Sequence, residues 1–219
     1  ANGFYALGGN SNGNNNTASG HLALITNKAG SGATAIGSYA MLVTNDQETS
    51  FDNYSVAVGY EALQGSDIAS NNTGSYNTAL GYQTLLNNSS GKENTATGHQ
   101  ALRNNGVGEA NTANGFEALT SNTSGKNNIA SGYKALASNT TGRNNTAIGF
   151  GALAGNTTGS NNTAVGNRAA VGREGVNNAT AIGYNAEVST SNCLVLGNAA
   201  NVGIGVDAPN PAYQLQLSF

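Results

Sequence analysis

Asn94–Leu102 reads NTATGHQAL, and seventeen residues further on Asn111–Leu119 reads NTANGFEAL. The same string returns at Asn145–Leu153 as NTAIGFGAL, with variants NTASGHLAL from Asn16, NTALGYQTL from Asn77, NIASGYKAL from Asn128 and NTAVGNRAA from Asn162. A fixed period of this kind marks a chain built by stacking one small unit. The motif glycines run from Gly3 through Gly20, Gly37, Gly59, Gly81, Gly98, Gly115, Gly132, Gly149, Gly166 and Gly183 to Gly197. Their spacing is 17 residues, except for two consecutive steps of 22 and a last step of 14. A second glycine often follows ten residues later, as at Gly91, Gly108, Gly125, Gly142 and Gly159, inside turn-forming strings such as SNTSGKN. Asn and Gly tolerate positive φ, so these strings are turns with a mechanism.

Seventeen residues are too few for a packed helix pair. They hold two short strands and two turns, and we expect the strands in Thr-Ala-x before the motif glycine and in the segment after it. Stacked in parallel at about 4.8 Å per coil, about twelve such units make an all-β solenoid, a rod of roughly 55–60 Å. The repeat domain is expected over residues 1–200, with five-residue insertions near 45–53 and 66–73, followed by a C-terminal cap or junction over 201–219. Each residue class then forms a column. The Asn column (Asn77, Asn94, Asn111, Asn128, Asn145, Asn162) can hydrogen-bond along the stack as identical amides do in cross-β arrays. Ala columns and a Leu column (Leu85, Leu102, Leu119, Leu136, Leu153) are expected to fill the small interior.

Composition supports this reading. The 219 residues include 31 Gly and 36 Asn, are only 9% charged and lack Trp, which leaves too few large apolar side chains for the thick core of an ordinary enzyme. A net charge of −3 without clustered Lys or Arg gives no footprint for nucleic acid. No apolar run approaches the roughly 18 residues of a membrane span. Cys193 is the single cysteine, so an intrachain disulfide is excluded. The chain opens inside a repeat, which suggests a fragment or a processed product.

One column is left without a place inside. Directly after the motif glycine come Phe4, His21, Tyr60, Tyr82, His99, Phe116, Tyr133, Phe150 and Tyr184. Outside the coil they form a long apolar stripe of a kind that monomers rarely expose. A homotrimer around the rod axis would cover it, and Tyr60, Tyr82, His99, Phe116, Tyr133, Phe150 and Tyr184 are the expected interface. The competing arrangement is a monomeric rod with the rings in its core.

The runs NTAIGF, NTALGY and ATAIGY resemble the repeat of YadA-type trimeric autotransporter adhesin heads, over Ala1 to about Gly205. The resemblance implies a left-handed parallel β-roll, intertwined or side by side as a homotrimer; the 17-residue unit departs from the shorter one usual in those heads. The tail Asn201–Phe219 (NVGIGVDAPNPAYQLQLSF) is similar to the junction that leads to a C-terminal chaperone in phage tail-fibre proteins. Together the resemblances imply a non-catalytic, extracellular trimeric fibre, most simply of a phage tail, that attaches to a cell-surface glycan or protein receptor. A bacterial surface adhesin head is the alternative. So is an ice-binding solenoid, on the strength of the Thr column (Thr17, Thr34, Thr78, Thr95, Thr112, Thr146, Thr163, Thr180).

Little else carries chemistry. No His stands near a Ser–Asp pair or beside Cys193, no phosphate loop is present, and no cofactor or metal is expected. Sequons at Asn122, Asn139 and Asn156 fall on the repeating turn and read as turn chemistry, without glycans. Between Ala29 and Gly91 lie Asp46, Glu48, Asp52, Glu61 and Asp67 but no Lys or Arg. The two insertions fall there, in consecutive coils, and should emerge side by side. Asp46, Glu48, Asp52, Tyr54 and Asp67 are therefore the candidate receptor contacts, with a cation as a conceivable companion. The same carboxylates are the only dense set that glycan cleavage could use, and we expect no enzyme.

Overall fold

A computed structural model describes residues 1–197 and the backbone of 202–204 and 215–217. Eleven three-residue strands stack into one parallel sheet, from Thr17–Ser19 to Leu194–Leu196. Thr95–Thr97, Thr112–Asn114 and Ile129–Ser131 pair in register, Ala96 against Ala113 and Ala113 against Ala130. The fold is an all-β parallel solenoid of about 17 residues per coil, as the repeat predicts. Asn2 bridges to Ser19, which ties the first coil to the second. In the region expected as a cap, Val202–Ile204 pairs in parallel with Leu215–Leu217; the rest of 201–219 lies outside the described residues.

Each coil has one strand on this sheet. The second strand expected after the motif glycine forms only in the last coils, where Ala170–Val171 pairs in parallel with Glu187–Val188. In the middle coils that segment is a run of turns in which every second residue has positive φ: Gln100 (56°) and Leu102 (50°), then Glu117 (51°) and Leu119 (54°). It still bonds from coil to coil, Gln100 N donating to Tyr82 O and Leu102 N to Ala118 O, both 2.9 Å. A left-handed Leu costs about 1–2 kcal/mol. Full burial of the Leu102 side chain returns about 1.5–3 kcal/mol, enough to offset that cost.

The interior holds more than the Ala and Leu expected. Asn94, Ala96, Ala101, Leu102 and Asn105 all point inward in a single coil, and all are fully buried. One half of the core is therefore apolar and the other is built of amides. Asn94 N and Nδ2 donate to Asn77 Oδ1 at 3.0 and 3.1 Å, and Asn111 repeats this onto Asn94. A second amide ladder runs beside the first, Asn105 Nδ2 donating to Asn88 Oδ1 and Asn122 Nδ2 to Asn105 Oδ1 at 2.8 and 2.7 Å. Both ladders converge on the second glycine of the repeat: Gly108 O accepts from Asn94 Nδ2 at 2.9 Å and from Asn105 Nδ2 at 2.7 Å. Asn122, Asn139 and Asn156, the sequon asparagines, belong to this second ladder and lie sealed inside the folded coil.

The motif glycine is required where the chain leaves the strand. Gly98 has φ 120°, and a Cβ there would stand 2.7 Å from Gly115 O in the next coil. Stacked backbones this close leave no room for any side chain.

Candidate interaction surface

Along each strand the first and third residues point outward while the middle residue, Ala in all but Leu194–Leu196, points in. Beyond the third residue the chain bends at the glycine, and the ring column follows. Tyr60, Tyr82, His99, Phe116, Tyr133 and Phe150 form one continuous stack. Ring centroids are 5.6 Å apart for Tyr60–Tyr82 and 4.9–5.1 Å for the later pairs, with interplanar angles of 5–16°. That spacing is the coil rise itself, so ring faces are sealed by neighbours and ring edges face outward. Phe4 and His21 extend the stack at 5.6 Å.

Tyr39 joins His21 to Tyr60 by edge contacts at 5.2 and 5.7 Å. Sequence reasoning missed it because Ser38 occupies the ring position after Gly37. The signal was the tyrosine one residue later. Tyr184 stands apart from the stack, since Asn167 takes the ring position in the coil between Phe150 and Tyr184.

The rings lie outside the coil, which overturns the competing arrangement of a ring-filled core. Phe116 remains 37% exposed, Phe150 46% and Tyr184 66%. Beside them the third strand position forms a second outward column that was not singled out from sequence: Ile36, Leu80, Ile148, Val165, Ile182 and Leu196 are all exposed. The x of Asn-Thr-Ala-x-Gly was its signal. Rings and aliphatic column make one apolar band down the rod, interrupted by Thr97, Asn114 and Ser131 in the middle coils.

Polar ladders edge this band. Gln83 Nε2 donates to Glu61 Oε2 at 2.7 Å, Gln100 Nε2 to Gln83 Oε1 at 2.8 Å, and Lys134 Nζ lies 3.3 Å from Glu117. The Glu117 carboxylate beside it holds the Lys134 ammonium above its ordinary value. The neighbouring Glu61 carboxylate raises the Tyr60 phenol pKa. On another side, Lys126 Nζ bonds Glu109 Oε2 at 2.6 Å and holds that carboxyl below the usual range.

The insertions are ordered by amides rather than charges. Asn72 is buried; its Nδ2 donates to Val43 O at 2.7 Å and Ser66 O at 2.9 Å, and its Oδ1 accepts from Ser66 N at 2.9 Å. The second insertion is thus tied to the segment that leads into the first, and the two are neighbours as expected. The acidic residues do not converge. Asp46 is half-buried, and Glu48, exposed, lies 3.8 Å from Lys28. Asp52 sits on the two-residue strand Phe51–Asp52, paired with Gly30–Ser31, and Asp67 stands exposed in the second insertion. Among the described residues no three His, Cys, Asp or Glu side chains gather as a metal site would require, so the conceivable cation has no cluster to hold it. Tyr54 is not part of these loops; it stands at the bend that leads into Val56–Val58, with its ring 5.6 Å from Tyr76.

Cys193 is exposed, with Sγ 3.0 Å from Thr190 Oγ1, although it opens the apolar run CLVLG. Among the described residues no helix is long and apolar enough to cross a membrane. Comparison with protein-family models, with curated proteins and with solved structures finds no match to this chain.

Proposed function

We propose that this chain is a non-catalytic segment of an extracellular trimeric fibre, of the phage tail-fibre kind, that attaches its particle to a cell-surface glycan or protein receptor. The observation that carries the reading is the outward apolar band, a ring stack unbroken from Tyr60 to Phe150 beside an aliphatic column with polar breaks at Thr97, Asn114 and Ser131. A monomer in water gains nothing from leaving so long a set of apolar side chains wet. Two further copies around the rod axis cover it and keep identical coils level with one another. The ordered insertions, with Asp46, Glu48 and Asp67 at their surface, are the proposed receptor contacts. A bacterial surface adhesin would use the same physics. The dispersal of the carboxylates supports a role in binding over glycan cleavage, which needs an acid and a base or nucleophile held across one bond.

Sedimentation equilibrium tests the assembly. The expected mass is about 66 kDa, three times the 21.9 kDa chain, and a purely monomeric species at all concentrations would end the proposal. A second reading, ice binding, is favoured by one observation: Thr146, Thr163 and Thr180 stand in register on the outer sheet face. Thermal hysteresis at millimolar protein supports it, and none removes it.

A further inference from the structure

Both amide ladders are interrupted where the chain carries its insertions. On the first ladder Ala33 and Ser55 stand between Asn16 and Asn77, and on the second Thr44 and Ser66 stand between Asn27 and Asn88. The ladder ends keep unused polar groups. On one side, Asn27 is fully buried and its Oδ1 accepts no hydrogen bond. On the other, Asn88 Nδ2 donates to Gly91 O at 2.9 Å and to no second acceptor among the described residues. Asn105, Asn122, Asn139 and Asn156 each donate in addition to the Asn Oδ1 of the coil before. Asn88 therefore has one amide proton to spare.

Between these ends lies a recess lined by Met41, Leu63, Asn53, Asn72, Gly74 and Asn88, with about 20 Å³ open to the centre of a water molecule. One water needs about 10–15 Å³ by that measure. The Asn72 amide is saturated by Val43 and Ser66. The Asn53 amide is not. Its Oδ1 accepts from Ser55 N at 3.1 Å, which fixes the orientation of the amide. Its Nδ2, on a side chain in a residue only 4% exposed, donates to no group among the described residues. The Gly74 carbonyl is likewise unused there, although its counterpart Gly91 O accepts from Asn77 and Asn88, both at 2.9 Å. The hydroxyls that replace the asparagines turn elsewhere: Ser55 Oγ donates to Asn53 O at 3.2 Å and Ser66 Oγ to Asn72 Oδ1 at 2.8 Å. Gly74 and Asn88 adjoin, since a Cβ on Gly74 would stand 2.7 Å from Asn88 Nδ2.

We infer that this recess is a binding site for one water molecule, which accepts from Asn53 Nδ2 and Asn88 Nδ2 and donates to Gly74 O. Three hydrogen bonds are the usual complement of a buried water, and leaving these three groups unpaired would carry a desolvation penalty. Charge and polarity select the ligand. Two amide protons disfavour a cation, the carbonyl disfavours an anion, and an apolar occupant would leave all three polar atoms unpaired. A neutral molecule that both donates and accepts, no larger than water, is what fits. The water takes the place of the missing ladder amides. Asn53 closes the first insertion, Gly74 directly follows the second, and Asn88 belongs to the regular stack beyond them. One molecule thus ties both insertions to the rod and holds them in fixed register, whether or not the chain assembles with further copies.

The full wild-type chain tests the site in a crystal and in solution. Electron density should show one peak within about 2.7–3.2 Å of Asn53 Nδ2, Asn88 Nδ2 and Gly74 O. In solution, nuclear Overhauser cross-peaks from water to the Asn53 and Asn88 side-chain amides should carry the sign of a long-lived bound molecule. Asn53→Leu removes one donor and should abolish the water cross-peak at Asn88, with far-UV circular dichroism unchanged. If that variant does not fold, the wild-type crystal and cross-peaks decide alone. A recess without density overturns the site. So does xenon bound there under pressure, or a bromide peak after soaking, because each shows a ligand of the wrong chemistry. A folded Asn53→Leu that keeps the Asn88 cross-peak at full intensity overturns it as well.

Discussion

Replacing one ladder asparagine, Asn111→Ala, should open the rod at a single coil. The Asn111 amide donates to Asn94 Oδ1 at 3.1 Å and to Gly125 O at 2.9 Å, and its Oδ1 accepts from Asn128 N at 3.0 Å and Asn128 Nδ2 at 3.1 Å. Some of these partners keep an alternative. Asn94 Oδ1 still accepts from Asn111 N at 3.0 Å, Gly125 O from Asn122 Nδ2 at 3.1 Å, and Asn128 Nδ2 still donates to Gly142 O at 2.9 Å. The Asn128 N–H keeps none. It lies in a residue with no exposed surface, so it bears the desolvation penalty of an orphaned donor, about 1–3 kcal/mol. The three bonds lost without orphaning add about 0.5–1.5 kcal/mol each as an upper range, partly recovered by their remaining partners. A loss of about 3–5 kcal/mol follows.

Urea denaturation followed by far-UV circular dichroism reads the total, and amide hydrogen exchange reads the location. Exchange should accelerate most at Asn128, because coils in a solenoid are coupled chiefly to their neighbours. The surface control Thr112→Ala should stay within about 0.5 kcal/mol. A loss under about 1 kcal/mol for Asn111→Ala, with protection at Asn128 unchanged, would refute the ladder as a source of stability.

Gly115→Ala combines φ 133° with a Cβ placed 2.6 Å from Gly132 O, and should give protein that fails to fold or loses several coils of exchange protection; normal expression with native exchange contradicts the close stacking. Glu109 has its folded pKa depressed by Lys126, so its contribution to stability is present above its unfolded pKa and fades as pH falls through the folded value. Lys126→Met should return the Glu109 carboxyl to the ordinary glutamate range in an NMR titration. Asn72→Ala removes the amide that joins the second insertion to Val43, and limited proteolysis should then cut within residues 66–73 while the coils from Asn94 onward stay intact. If cutting is as slow as in the wild type, Asn72 does not secure the insertions.

The repeat made the solenoid, the parallel register and the first amide ladder legible, because a strict period leaves identical residues nowhere to lie except over one another. Thr-Ala-x was readable as strand from its alternation. His99-Gln100-Ala101-Leu102 was not readable as turns, because propensity disfavours Leu and Gln at positive φ, and the coil-to-coil hydrogen bonds and the burial of Leu102 that offset the cost exist only in the stack. Asn105, Asn122 and Asn139 form a second core ladder from residues that look like surface turns, since Asn-x-x-Gly has the same composition whether its amide meets water or the coil above.

The rings were visible as a column, but their place was decided only in three dimensions. Two Asn, two Ala and one Leu already fill the cross-section of a coil. Volume alone therefore puts Tyr60, Phe116 and their neighbours outside, where Val56, Val58, Tyr54 and Tyr76 join them. One-dimensional period determined what repeats, and packing in the small cross-section decided which columns face in and which remain free to meet another surface.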